Sequence, residues 1–254
     1  MSKYLRYTFF FLLLIFQACQ STKFITDNTF KEQFKKSNRN PDSIISKIHN
    51  YSDSLNTLSG KARIQISQPG NYQRGTIHFV SDRQESKLIF RNNLGIEGGE
   101  LYFDKDSALV YNKIDKFARK MSLKRYSYVY LNGLLPVNPI TVISPRLGDK
   151  KVKKVYESPD YYSLTYRDGT QIILDKNDFL IRKIEYPASM HPDFSIVIFG
   201  GYAVINGYHL PRKIQILSSD KKSNIFLLIQ SLEINPSNPD FNIHLPPHLT
   251  IEHL

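Results

Sequence analysis

The chain has 254 residues, with 34 Lys and Arg against 23 Asp and Glu, and a single Cys. That length suits one sizeable domain, and 13% aromatic with 22% charged residues is the make-up of a folded chain, since disordered chains are poor in aromatics. One Cys excludes an internal disulfide, a thiolate zinc cluster and an iron–sulfur site.

The N-terminal segment MSKYLRYTFFFLLLIFQAC sets Lys3 and Arg6 before an apolar run from Phe9 to Phe16, then a small residue, Ala18, before Cys19. Residues 1–18 read as a secretory signal, because the apolar run is far shorter than the roughly 20 residues that span a bilayer. The junction resembles the bacterial lipoprotein signal, in which an aliphatic and two small residues precede a Cys; Phe16 and Gln17 are the bulkier departures. That resemblance implies lipidation of Cys19 by more than one acyl chain, which is what stable anchoring requires. Gln20, standing where an Asp would retain the protein at the inner membrane, implies the outer membrane. No acidic run follows to direct surface export, so the expected location is the periplasmic leaflet. The alternative is ordinary signal cleavage, which would leave a free, exposed thiol.

Loss of residues 1–18 removes Lys3 and Arg6 and no acid, leaving a net charge of +9. Export separates so basic a chain from nucleic acid, and no nucleic-acid motif is present, so anionic lipid or an acidic protein is the expected partner. Residues 19–40 read as the lipidated Cys and a polar tether, and residues 41–254 as one domain. Asn40-Pro41-Asp42-Ser43 introduces a helix whose apolar stripe is Ile44, Ile45, Ile48, Tyr51 and Leu55.

From Leu58 onward the pattern changes to short alternating runs such as ARIQIS, GTIHFVS, SKLIFR and GELYFD, separated by turn signals including Asp168-Gly169 and Asn206-Gly207. These predict an antiparallel sheet of about a dozen strands. A sheet of that size must curl into a barrel or fold into a sandwich to bury its apolar face. The only later helical candidates, 126–135 and 139–144, are few for covering it. Residues 194–199 and 225–229 are apolar on both faces, which suits a cavity. Alternation points Ile64, Ile66, Ile77, Phe79, Leu88, Phe90, Leu101 and Phe103 to one side, where they line either an acyl-chain cavity or an ordinary core.

Catalytic and metal patterns fail on inspection. The seven His are scattered, and Pro246 and Pro247 forbid a helix between His244 and His248. Asp104-Lys105-Asp106-Ser107 opens like a calcium loop but has Leu109 where Gly is needed, and reads as a hairpin turn. No nucleophile elbow, Walker loop or dinucleotide fingerprint occurs. A dispersed hydrolase triad has nothing in its favour, and the expectation is no enzyme, no metal and no cofactor. Two basic clusters, Lys113 to Arg125 and Arg146 to Lys154, are either a solvated face or a docking surface for anionic lipid or an acidic carrier.

Two stretches carry a family resemblance. SKLIFRNNLGIEGGELYFDKDSALVYN sets a turn, Asn92-Asn93-Leu94-Gly95, between strands. It resembles the LolB-type outer-membrane lipoprotein receptors, whose Asn-Pro-Leu-Gly-like turn projects a Leu from the barrel rim; here Asn93 stands in place of Pro. FSIVIFGGYAVINGYHLPRKIQIL is similar to the family's late strand ending in Gly-Gly-Tyr. Gly95-Ile96-Glu97 followed by Asp106-Ser107 also resembles a wider group of uncharacterised periplasmic lipoproteins. The similarity spans most of residues 44–234.

The resemblance implies a mainly β fold, an incomplete, half-open antiparallel barrel with helices plugging its concave face. It implies a monomeric outer-membrane protein that accepts the acyl chains of lipoproteins from a LolA-type periplasmic carrier and releases them into outer-membrane lipid, with Leu94 inserting. The alternative is a lipid-anchored assembly module that holds a protein partner.

Overall fold

The computed structural model describes residues 33–130, 138–147, 151–187 and 195–254. Residues 1–18, expected to be a signal, and Cys19, the expected lipidation site, lie outside these residues. A short strand, β1 (Lys35–Lys36), and a one-turn helix, α1 (Pro41–Ile45), come first. Asn40 caps α1, its Oδ1 accepting from the Asp42 amide at 2.9 Å, with Pro41 pre-set for the first turn.

The helix is shorter than the spacing of its apolar residues predicts. After Ile45 the amides of Lys47 and Ile48 reach back only three residues, to Ile44 and Ile45. Asn50 then turns its Oδ1 to the Ser52 amide at 3.0 Å, a local bond that competes with helix. Ile44, Ile48 and Leu55 are nevertheless all buried, so the stripe marked the right side chains without one continuous helix.

A first meander follows: β2 (Thr57–Gln68), β3 (Asn71–Asp82), β4 (Ser86–Arg91), β5 (Glu97–Phe103), β6 (Ser107–Asn112) and β7 (Phe117–Ser122). Two helices, α2 (Leu123–Tyr130) and α3 (Pro139–Ile143), interrupt it. A second meander runs through β8 (Val152–Glu157), β9 (Tyr161–Tyr166), β10 (Gln171–Asp175), β11 (Ile181–Glu185) and β12 (Ile196–Gly200). A hairpin of β13 (Ala203–Ile205) and β14 (Tyr208–Leu210) stands apart, turned by Asn206 and Gly207, both at positive φ. Then come β15 (Lys213–Leu217), β16 (Asn224–Ile234) and a terminal β17 (Ile251–His253).

One sheet of 15 strands takes in everything but the hairpin, in the order β1-β8-β9-β10-β11-β12-β15-β16-β2-β3-β4-β5-β6-β7-β17. The two meanders join where β16 pairs with β2. All pairings are antiparallel except β17 on β7, which is parallel. The terminal strands β1 and β17 do not pair with each other, so the curled sheet is an incomplete barrel. Lys35 and Lys36, expected in the tether, already pair with Glu157 and Tyr156 of β8.

The main core lies on the concave side, among Leu58, Phe79, Leu101, Leu164, Ile172 and Phe199 with α1 and α3. Gly60 permits this packing: a Cβ there would meet the Ser231 carbonyl oxygen at 2.5 Å and the Phe79 ring at 2.8 Å. Within the two-sided run, Val197 and Phe199 enter the main core and Ile196 and Ile198 a small cluster with Leu217. The convex face of β3–β5 is covered by the C-terminal segment, where buried Lys87 reaches Asp240 at 3.1 Å and the Asn242 carbonyl.

Candidate functional site

Cross-strand register assembles the concave lining. Ile77 sits opposite Ala62 and Phe90, and Phe79 opposite Leu88, which in turn faces Leu101. Together with Ile64 and Ile66 these residues wall an apolar cavity of about 70 Å³. The lining continues across the adjoining strands β16 and β15, where Ile225, Leu227 and Ile229 sit beside Ile66, Ile64 and Ala62 and Ile216 follows, and the roof comes from Tyr126 of α2 and Pro139, Val142 and Ile143 of α3. None of the lining residues carries a charge.

Seven of the eight residues picked out by alternation therefore share one cavity. Phe103 does not. It is buried in the core at 3% exposure, two residues further along β5 and beside Ala108 of β6, past the end of the hollow. The β16 residues were signalled by the two-sided apolar run at 225–229. The roof segments read as helices at 126–135 and 139–144, but which of their residues face the hollow does not follow, because segments of five and eight residues are too short for spacing to fix a face.

The start of α3 is fastened to β3. Asn138 caps α3, its Oδ1 accepting from the Ile140 amide at 3.1 Å and from the Ser81 hydroxyl at 2.8 Å, while its Nδ2 donates to the Asp82 carbonyl at 2.7 Å. Ser81 is fully buried, so this polar cluster pins a five-residue helix over β3.

Toward one end the cavity widens into a groove of about 410 Å³ that shares Ile64, Ile66, Phe90, Leu101 and Tyr126 and adds Arg74, Asn92, Gly98, Asn112 and Phe117. Charges gather at this mouth. Lys113 bridges Glu97 and Glu100, the latter at 2.7 Å, and Arg91 lies 3.3 Å from Glu97. Burial alone would raise the Glu97 carboxyl, but the hydrogen bonds and charges of Lys113 and Arg91 outweigh it and hold the group below the usual carboxylate range.

Leu94 stands at the tip of the β4–β5 turn with 84% of its surface exposed. The turn lacks a proline, and Asn92 supplies the constraint. Its Oδ1 accepts from the amides of Leu94 at 2.9 Å and Ile96 at 3.0 Å, its own amide donates to the Ile96 carbonyl, and Gly95 takes φ +81°.

The other sequence candidates are placed as structural elements. Asp104 forms the hairpin turn between β5 and β6, its Oδ1 accepting from the amides of Asp106 and Ser107. Among the described residues no group of three or more His, Cys, Asp and Glu could hold a metal ion. His49 and His209 lie tilted against each other at 4.5 Å between ring centroids, and the Tyr51 hydroxyl accepts from the His209 amide across 158 residues, a meeting that no linear signal announces.

No protein-family model matches the chain, and no curated protein is similar to it. Solved structures are. A DUF1329 family protein from Desulfovibrio piger aligns with a TM-score of 0.50 at 12% identity, over 78% of this chain and 92% of that one. A domain described as an outer membrane lipoprotein-sorting protein, from Vibrio parahaemolyticus, aligns at 0.49 and 11% identity, over 79% and 94%. A LolA superfamily protein from Nitrosomonas europaea aligns at 0.48 and 12% identity, over 77% and 93%. At such identities the likeness is one of fold alone: a large, open antiparallel sheet with short helices on its concave side.

Proposed function

We propose that this protein is a lipid-anchored acceptor of acyl chains at the outer membrane, receiving lipoproteins from a soluble periplasmic carrier and passing them to the bilayer. The observation that carries this reading is the uncharged concave hollow, roofed by two short helices and opening into a wider groove beside the exposed Leu94.

A hollow of about 70 Å³ holds a handful of waters but is too small for a whole acyl chain. Filling it requires α2 or α3 to swing outward, exchanging Tyr126, Val142 and Ile143 for the methylenes of the ligand. Each methylene buried contributes about 0.8 kcal/mol, so a chain covered over only part of its length is held and then released downhill into a bilayer. Anchoring through Cys19 would keep the acceptor at the receiving membrane, and Leu94 would enter the lipid at the moment of release.

The small resting volume also favours a second reading, an assembly module whose roofed interior is plain core and whose surface holds a protein partner. Displacement of a fluorescent fatty acid by a triacylated peptide separates the two: saturable displacement supports the acceptor, and a folded protein that takes up neither supports the module.

A further inference from the structure

The β6–β7 turn repeats the construction of the Leu94 turn. Asn112 Oδ1 accepts from the Ile114 amide at 2.9 Å, as Asn92 Oδ1 does from Leu94, so in both turns an Asn holds an aliphatic residue two positions on. Ile114 is 68% exposed. In an antiparallel meander alternate turns fall at the same end, which puts the β2–β3, β4–β5 and β6–β7 turns on one rim. Four of the exposed large apolar residues gather there: Tyr72, Leu94, Ile96 and Ile114.

The two aliphatic tips are braced into one unit. The Lys113 amide donates to the Gly98 carbonyl at 3.0 Å, and its ammonium bridges Glu97 and Glu100. A Cβ built on Gly98 would sit 3.8 Å from Ile114 Cδ1, so the Ile114 side chain stands over the start of β5, beside the Leu94 turn. The groove opens between these turns, bordered by Arg74, Asn92 and Asn112. Arg74 and Lys116 on the same rim carry no ion pair among the described residues, and they complement anionic headgroups.

We infer that Ile114 is a second lipid-inserting tip, paired with Leu94, and that the two seat the mouth of the groove on an anionic bilayer surface. The proposal rests on the reading of Leu94 as an inserting residue and deepens it: acyl chains leave the protein through an opening already facing lipid, without crossing water. Single tips on separate loops partition independently, whereas two braced tips also fix the tilt of the domain.

The test is depth-resolved fluorescence on the full chain. Ile114→Cys, Leu94→Cys and Lys105→Cys carry an environment-sensitive dye, with wild type taken through the same labelling as the background. Each is reconstituted in phosphatidylethanolamine–phosphatidylglycerol vesicles containing a nitroxide-bearing phospholipid. Lys105 lies in the β5–β6 turn, at the opposite end of the sheet. The expected result is lipid-phase quenching at 114 comparable to that at 94 and roughly tenfold above that at 105, as the partition of one aliphatic side chain allows. Quenching at 94 without quenching at 114 would overturn this inference and leave the Leu94 reading standing. Absence at both positions would remove both. Equal quenching at 105 would show that the rim is not the docking face.

Discussion

Lys87 and Asp240 meet at 3.1 Å across 153 residues of chain, joining the C-terminal segment to the convex face of β4. Lys87 is 6% exposed and lies 3.9 Å from Glu100, itself 5% exposed, whereas the Asp240 side chain is half exposed. The two partners therefore carry different weight. Lys87→Met leaves Glu100 with Lys113 at 2.7 Å but strips the Asn242 carbonyl and one buried Glu100 oxygen of their cation, and costs about 1–3 kcal/mol. Asp240→Ala leaves Lys87 with Glu100 and the Asn242 carbonyl and costs about 1 kcal/mol or less. Urea denaturation of both variants checks the ranking; equal small losses would mean that the convex face contributes little.

The cavity lining gives a contrast between stability and binding. Leu101→Ala removes a side chain 2% exposed, with an expected cost of about 2–5 kcal/mol, yet it enlarges the hollow. Acyl binding should survive or strengthen while the thermal midpoint falls. Ala62→Leu, at a fully buried wall position, should do the reverse, weakening uptake at a cost of about 1–3 kcal/mol from overpacking.

Asn138→Ala tests the roof. It removes the cap of α3 and its bond to the Asp82 carbonyl, and the lost cap alone costs about 0.5–2 kcal/mol. If α3 must move for ligand to enter, uptake of a fluorescent fatty acid becomes faster in this variant. An unchanged rate would place the entry elsewhere.

Leu94→Glu should leave folding within about 0.5 kcal/mol of wild type, because the residue is exposed at a turn tip held by Asn92. Acyl binding is likewise expected to be unchanged. Delivery of a labelled lipoprotein to vesicles should drop by roughly ten- to a hundredfold, the worth of one inserted Leu. Equal delivery would remove the insertion step.

Several carboxylates predict the acid response. Glu97 is held low by Lys113 and Arg91, and Asp240 by the Asn242 amide and Lys87. A group depressed on folding contributes stability above its unfolded value, about 4, and that contribution is lost as pH falls through the folded value. Stability should therefore decline steadily below pH of about 4. Lys113→Met should flatten this decline, since it removes the main cation from Glu97. Thermal midpoints against pH for both proteins provide the measurement.

Much of this architecture was legible because strand alternation is strict. Ile64, Ile66, Ile77 and Phe79 face one side by spacing alone, and the Asp104 and Asn206-Gly207 turns follow from local hydrogen bonding and positive φ. Alternation gives a face but not a depth, which is why Phe103 joins its neighbours on the concave side yet lies beyond the cavity. The parallel seat of β17 and the meeting of His49 with His209 depend on tertiary placement alone. Ile114 escaped for another reason: its Asn112-Lys113-Ile114 turn offers no proline or glycine to mark it as a counterpart of the Leu94 turn.

The central claim is that the concave hollow takes up acyl chains. Its most direct test is native mass spectrometry of the purified protein with a triacylated lipopeptide, alongside fluorescent fatty-acid displacement on wild type and Ala62→Leu. One lipopeptide per protein, with saturable displacement that Ala62→Leu weakens, is the predicted result. A well-folded wild-type protein that binds neither ligand would contradict the account and leave the roofed interior as ordinary core.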